Sequence, residues 1–482
     1  MLIQIPTDVL LLILEYLDLR SLIRLSQTCK EFHTFLNSAS VTIQIIASAA
    51  AQEFPLQDPA TVQSTLPTDV AVRQKIIRCR EFHDAWRGTQ VTTKILTQLS
   101  ISEGVCMIRI LPGGRFLVVI DFLEGAKFYH LISGKLVGSK SFNLISSPEM
   151  IYSIDFAGIS RSIVAWGMLT SENDAGNEGK LCARVTLIHL PEADEVDQTL
   201  DFEQVLEHPF YGTAEMLSIS GDAIVIYTYP VDGGNDLRLS IWNWRTKHQV
   251  WHPVPWRNNE GESYPGHPSL HATPDAVFLV GGQLGWHRLH AKNSPNAVWK
   301  YEDASHVASS QEDKDALRFS SQGRCSKQWW GYRGRSWHRL LSCPTRSNHD
   351  GQPKPLKVLT FEVPDNPQSP IRKMLLDLGQ YHILTGWESS PPLFHSSRFG
   401  SKAMWLVHED GEPAINSVSF PTFDRQVDGD APSEIKKITV DPAIDVLGIR
   451  AFDMDETAPI IAFAEFDKVW IVEVVPRQTS SY

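Results

Sequence analysis

Residues 237–247 read LRLSIWNWRTK. Apolar residues alternate along this run. In an extended chain successive side chains point to opposite faces, so Leu239, Ile241 and Asn243 share one face while Trp242 and Trp244 share the other. Arg245, Thr246 and Lys247 then end the run as polar turn residues. A second stretch behaves the same way. Residues 127–137, KFYHLISGKLV, read as strand, turn, strand, with Ser133 and Gly134 forming the tight turn.

Working outward, the same unit recurs: an apolar strand, a turn, a second strand, then an aromatic-containing strand closed by polar residues. Copies run from Cys106 to Val137, Ile151 to Leu190, Met216 to Val250, Leu270 to Leu289, Lys373 to His408 and Ile438 to Val475, with a more irregular one between Leu317 and Val363. Spacings of roughly 40 to 60 residues between strand-rich units, with insertions such as Ser171 to Lys180, point to a β-propeller rather than a sandwich. The expected ring has about seven blades. Residues 237–247 resemble the third strand of a WD-type blade, with Asn243 where that motif has Asp. The strand from Val91 to Leu96 is expected to pair with the last blade and close the ring, because an open edge leaves backbone donors unpaired.

Before residue 90 the pattern is different. Leu-rich helical periodicity occupies residues 6–38, a further helix is expected around Val41 to Phe54, and another from about Asp69 to Arg87, separated by Pro55, Pro59 and Pro67. The last of these places Val72, Ile76, Cys79 and Trp86 on one stripe that packs against the next part of the chain. The expected organisation is therefore α+β and multidomain: a helical module at 1–40, a helical linker at 41–90 and a propeller-like β domain at 91–478.

Residues 5–33 read IPTDVLLLILEYLDLRSLIRLSQTCKEFH. Thr7 or Asp8 caps a helix running to Leu17, Asp18 caps the next through Leu25, and Thr28 with Glu31 forms a capping box for a third. In the first helix Val9, Leu10, Leu11, Leu12, Ile13, Leu14 and Leu17 surround nearly the whole circumference, where a surface helix keeps a single apolar stripe. It needs cover on two sides. So small a segment cannot supply both, and another part of the chain or a second protein must take the spare face.

These residues are similar to the F-box family. Its Leu-Pro, following acidic residue, Leu-rich first helix and later Cys-Lys before an aromatic are met at Ile5-Pro6, Asp8, Leu10 to Leu17, Cys29-Lys30 and Phe32. Ile5, Asp8 and Phe32 stand where the family more often has Leu, Glu and Trp. The resemblance implies docking to the Skp-type adaptor of SCF cullin ubiquitin ligases, with Ile5, Pro6, Leu10, Ile13, Leu14, Leu17, Leu22, Leu25, Cys29 and Phe32 forming the F-box core and its partner-facing surface. The order of elements, with Leu66-Pro67-Thr68-Asp69 opening the later helix and LPGGR at 111–115, also looks like basidiomycete fungal F-box proteins. A substrate receptor of such a ligase is expected, with a non-ligase F-box scaffold or trafficking adaptor, or an enzyme built on a propeller, as alternatives.

Composition bounds the remaining classes. With 44 basic against 56 acidic side chains the net charge is -12, which disfavours nucleic acid and anionic membrane surfaces as partners. Six cysteines, at 29, 79, 106, 182, 325 and 343, have no paired spacing and read as free thiols in a reducing compartment, cytoplasm or nucleus. No run approaches the roughly 18 to 20 apolar residues that cross a bilayer. Cys325, His338, Cys343 and His349 lack finger spacing, and His287 and His290 point to opposite faces of a strand, so no metal and no cofactor is expected. Asp232 to Asp236 and Glu172 to Glu178 read as hairpin turns, and Gly281, Gly282 and Gly285 lack the context of a phosphate loop. No catalytic constellation stands out. Trp329, Trp330, Tyr332, Arg333, Arg335 and Trp337 form the densest aromatic and arginine cluster and are the candidate client contacts, if they do not instead fill the space between blades.

Overall fold

The computed structural model describes residues 5–36 apart from 15, 16 and 18, residues 85 and 86, and, between 91 and 475, the strands and the shorter connections between them. Three short helices come first: α1 (Thr7–Leu14), α2 (Leu19–Ser26) and α3 (Lys30–Leu36). Strand β1 (Val91–Ser100) follows, and the described residues from there onward are almost wholly β-structure.

Four separate sheets of four antiparallel strands come next along the chain. They are β2 (Val105–Ile110), β3 (Phe116–Asp121), β4 (Gly125–His130), β5 (Leu136–Lys140); β6 (Met150–Gly158), β7 (Ile163–Glu172), β8 (Lys180–His189), β9 (Asp201–Phe210); β10 (Thr213–Ser220), β11 (Ala223–Tyr229), β12 (Arg238–Asn243), β13 (His248–Pro253); and β14 (Ser269–Ala272), β15 (Ala276–Gly281), β16 (Gln283–Arg288), β17 (Lys300–Asp303). Each is a meander in which sequence neighbours pair. The remaining strands are β18 (Arg324–Cys325), β19 (Trp329–Trp330), β20 (Ser336–Ser342), β21 (Lys354–Val363), β22 (Arg372–Ile383), β23 (Phe394–Ser396), β24 (Lys402–Glu409), β25 (Glu412–Ser419), β26 (Lys436–Thr439), β27 (Ala451–Asp455), β28 (Ile460–Ala464) and β29 (Lys468–Val475). With β1 they form one continuous thirteen-stranded sheet.

Burial shows how the sheets stack. All six residues of β3 are buried, because the strand is covered on both faces. Phe116, Val118 and Ile120 pack with Phe156, Val164 and Trp166 of the following sheet. Leu117 and Val119 pack the other way, against Ile460, Ala462 and Ile471 near the C-terminal end of the chain. Strand β28 repeats this: Ile460, Ala462 and Ala464 meet the first sheet, while Ile461 and Phe463 face Met404, Leu406 and Trp470. Strand β24 turns Ala403, Trp405 and Val407 to Leu356 and Val358, and Met404 and Leu406 to the other side. Sheets apolar on both faces stack face to face around a ring, and the N-terminal strands of successive sheets lie alongside one another, β2 by β27 and β10 between β6 and β14. The fold is a small helical module followed by a mostly-β, propeller-like domain.

Closure rests on β1. It runs antiparallel to β29 from Thr92↔Val475 to Ser100↔Lys468, so the first strand of the β domain is the outer strand of the last blade. It also pairs parallel to β26 at Val91↔Ile438 and Thr92↔Thr439, tying two blades together. Just before it, Trp86 is buried in the same cluster as Ile438, Phe463 and Trp470. The Lys402 ammonium lies over the indole, 5.8 Å from its centroid, and Lys436 Nζ donates to the Trp86 carbonyl at 3.4 Å. The rest of the helices expected at 41–54 and 69–87 lies outside the described residues.

Two readings change. The copy expected from Lys373 to His408 straddles two units: β22 pairs along its length with β21, so it completes the unit that contains Arg324 to Val363, and β24 opens the core of the next. Likewise Ile438 stands in β26, paired with β25, and not at the start of the last blade. An amphipathic strand announces that it is covered, but not which neighbour it joins.

Candidate docking surface

The helical module buries five apolar side chains and leaves others on α1 open. α1 begins with the Leu10 amide donating to the Pro6 carbonyl at 2.9 Å, and α3 with His33 donating to the Cys29 carbonyl at 3.0 Å. Leu10 and Leu14, one helical turn apart, are buried; so are Leu22 of α2 and Phe32 and Leu36 of α3. The outer side is polar, with Arg24, Lys30, Glu31 and His33 at or near the surface. Thr28 departs from the capping box: its hydroxyl donates to the Leu25 carbonyl at 2.7 Å, closing the end of α2. α1 is described from Thr7 to Leu14, and residues 15 and 16, before Leu17, lie outside the described residues.

On the opposite side of α1, Val9, Leu12 and Ile13 are 46%, 58% and 43% exposed. Positions three and four apart are neighbours on a helix surface, so the three form one stripe, and exposed Pro6 extends it by a turn. Surface leucines are common singly, and a continuous apolar stripe on an eight-residue helix marks a candidate docking surface. The ten residues named from the sequence thus separate. Leu10, Leu14, Leu22 and Phe32 are the interior; Pro6 and Ile13 face outward; Ile5, Leu17, Leu25 and Cys29 are half-buried. Val9 and Leu12 were missing from that set. Their spacing from Ile13 carried the signal, but it becomes readable only once Leu10 and Leu14 are known to point inward.

The aromatic and arginine cluster is placed by its backbone. Trp329 stands opposite Trp337 and Trp330 opposite Ser336 in the β19–β20 ladder, at one end of the thirteen-stranded sheet. Tyr332, Arg333 and Arg335 lie outside the described residues. Of the residues with metal-ligand chemistry weighed above, Cys325 and His338 fall on β18 and β20, opposite Leu340 and Phe361. Cys343, His349 and His290 lie outside the described residues, as do Asp232 to Asp236. Among the described residues no three His, Cys, Asp or Glu side chains gather to hold a metal, and no helix is long and apolar enough to cross a membrane.

Two acids in the ring, half-buried Asp155 and buried Glu465, bond across it. Asp155 Oδ2 of β6 accepts from Ser218 Oγ at 2.9 Å and from the Ile219 amide at 3.0 Å in the next sheet. Glu465 Oε1 accepts from the Trp470 indole at 2.6 Å and from the Asp445 amide at 3.0 Å. In the LRLSIWNWRTK stretch, Trp242 and Trp244 pack with Ile224, Ile226 and Leu217, while Leu239 is buried on the other face. Asn243 caps the turn, its Oδ1 accepting from the Arg245 and Thr246 amides at 3.1 and 2.9 Å.

Comparison with known proteins assigns the helical module. The family described as F-box-like matches residues 2–41. The N-terminal module is an F-box-like domain. No curated protein matches the chain in sequence. Among solved structures, the β-propeller domain of Cps50 (Swd1) from Myceliophteria thermophila is similar at 12% identity, with a TM-score of 0.43, covering 80% of this chain and 100% of that one. The WD40 domain of SCAP from fission yeast is similar at 10% identity, with a TM-score of 0.41, covering 77% and 84%. The propeller assignment rests on the strand registers and two-faced burial described above.

Proposed function

We propose that this protein is a non-catalytic substrate receptor of an SCF-type cullin ubiquitin ligase. The F-box-like domain docks the Skp-type adaptor through α1, and the β domain, read as seven blades, holds a client protein. The observation that carries this is the exposed stripe of Val9, Leu12 and Ile13 on a helix whose other face is already buried. Covering what remains exposed of each side chain is worth roughly 1 kcal/mol or more, and a Skp-type adaptor is the partner an F-box implies. The count of seven is supported by four separate four-stranded sheets together with three groups in the continuous one: β18 to β22, β23 to β26, and β27 to β29 with β1. The non-catalytic reading is supported by acids such as Asp155 and Glu465 being occupied in bonds between strands. Cytoplasm or nucleus is the compartment such a role requires.

Co-purification with the adaptor tests it. Leu10→Asp with Leu14→Asp would break the module's interior, so the informative pair is Leu12→Asp with Ile13→Asp. This pair should abolish adaptor capture while leaving the thermal unfolding of the chain unchanged. A wild-type chain that never captures the adaptor would sink the proposal. Cullin in the captured complex separates a ligase receptor from an F-box scaffold of another kind.

A further inference from the structure

The four separate sheets each end on an outer strand with no described strand paired beyond it: β5, β9, β13 and β17. Such an edge presents a row of backbone donors and acceptors, and proteins blunt it with charged side chains, proline or a covering segment. β5 is covered in part, because the Leu200 amide donates to the Val137 carbonyl at 2.8 Å. β9 carries exposed Asp201, Glu203 and Glu207, and the sequence of β17 contains Lys300, Glu302 and Asp303. β13 differs from all three. It reads HQVWHP, from His248 to Pro253, with no Asp, Glu, Lys or Arg, and its one residue without an N–H is the last.

In place of charge, β13 presents an aromatic ring. Trp251 is 48% exposed. It stands opposite Ser240, as Gln249 stands opposite Trp242, so these four side chains share one face of the blade. The Gln249 amide oxygen, turned toward its neighbours, accepts from the Trp251 indole N–H at 3.1 Å and from the Trp242 indole and Ser240 Oγ at 2.8 Å each. Trp251 is thereby held with its polar atom satisfied within the blade, and what it offers outward is apolar ring surface.

We propose that β13 pairs edge to edge with β13 of a second copy of this chain, joining two four-stranded sheets into one. The pair is antiparallel and two-fold symmetric. Side chains opposite one another lie on the same face of the joined sheet, so the axis passes through a residue and sets it against its own copy. Centred on Trp251, the two indoles are directly opposite. Centred on Val250, each indole faces Gln249 of the other copy and is diagonal to the other indole, still within aromatic reach. The missing charge is what selects a second copy as the occupant: a symmetric pair brings like side chains together, which the carboxylates of β9 oppose and HQVWHP does not. Pairing consumes both edges, so the assembly closes at two. The proposal stands apart from the receptor reading, and its consequence is two F-box-like domains in one particle.

Sedimentation equilibrium of the full chain over a series of concentrations tests it. A monomer–dimer equilibrium without larger species is expected. Trp251→Lys sets two ammonium groups against each other at the joint and should weaken the dimer by about tenfold or more, and Trp251→Glu should do the same. Mixing the two variants should restore it, which separates a lost pairing from a lost fold. Leu136→Lys, the same kind of change at an exposed position of β5, should leave the dimer as it is. The proposal is overturned if the wild type stays monomeric throughout, if Trp251→Lys dimerises as well as the wild type, if the mixture does not recover, if Leu136→Lys weakens the dimer equally, or if association runs on past two. A monomeric chain that takes up an extended peptide along β13 would make a client strand the occupant and overturn it too.

Discussion

Asp453 of the last blade accepts the backbone N–H of Ile110 in the first blade at 2.7 Å, across 343 residues of sequence. Ring closure therefore has two parts: the β1–β29 ladder at the rim and this carboxylate nearer the axis. The device recurs, since Asp155 accepts from the Ile219 amide and Ser218 Oγ from the Ala272 amide at 2.9 Å. Strand β2 does not pass it on: at the corresponding place, just before the receiving amide, it carries Arg109, a side chain that cannot accept.

Asp453→Ala leaves the Ile110 amide without its acceptor at a joint between blades. An unsatisfied buried donor costs about 1 to 3 kcal/mol. The chemical denaturation midpoint should fall accordingly, and Asp453→Asn, which keeps a carbonyl oxygen, should fall less. Equal midpoints for all three chains would show that the ladder alone closes the ring.

Trp86 anchors the entry into the β domain in the same way. It is fully buried among Ile438, Phe463 and Trp470, beneath the buried Lys402 ammonium. Trp86→Ala removes the indole that Lys402 lies over and opens a cavity, a change worth about 3 to 5 kcal/mol. Thermal unfolding followed by far-ultraviolet circular dichroism should report an earlier β transition, with adaptor capture preserved at low temperature because α1 is untouched.

Much of this architecture can be read from residue patterns, and the failures have a common cause. LRLSIWNWRTK gave the correct faces, with Trp242 and Trp244 on one side and Leu239 on the other, because strand alternation is local. The apolar positions around the first helix, Val9 to Leu14 and Leu17, announced that two covers are needed, yet a helix apolar all round does not say which side is covered already. Leu10 and Leu14 turned inward, leaving Val9, Leu12 and Ile13 outside. Residues 372–383 were assigned to the wrong unit because pairing is a relation between strands. Asp155 and Asp453 gave no signal at all: a lone Asp in a strand looks like a solvated one until a partner 64 or 343 residues away is placed beside it.

Gly125 fixes the tight β3–β4 hairpin, where it pairs with Asp121. Its φ of +123 is open to glycine and strained for other residues, and an added Cβ would overlap the Lys140 carbonyl oxygen of the neighbouring strand. Backbone cannot move aside as a flexible side chain can. Gly125→Ala should cost about 3 kcal/mol or more, seen as a lowered thermal midpoint and reduced soluble yield. Gly167→Ala would meet only Leu217 Cδ2, at 2.8 Å, and should be milder.

The contact between His208 of β9 and Trp242 of β12, with ring centroids 3.9 Å apart, couples the second and third blades to pH. Burial holds His208 below the ordinary imidazole value of 6.5. A group whose pKa is depressed on folding binds its proton more readily in the unfolded chain, so acid favours unfolding. This part of the stability is intact above 6.5 and is lost as the pH falls through that value toward the lower folded one. His130, lowered by burial and then by Arg115, acts in the same direction at the first blade. Denaturation midpoints taken from neutral pH downward should therefore decline less steeply for His208→Gln than for the wild type, although the variant starts lower through loss of the ring contact. Parallel declines would mean that the imidazole takes up its proton in the folded blade interface as easily as in water.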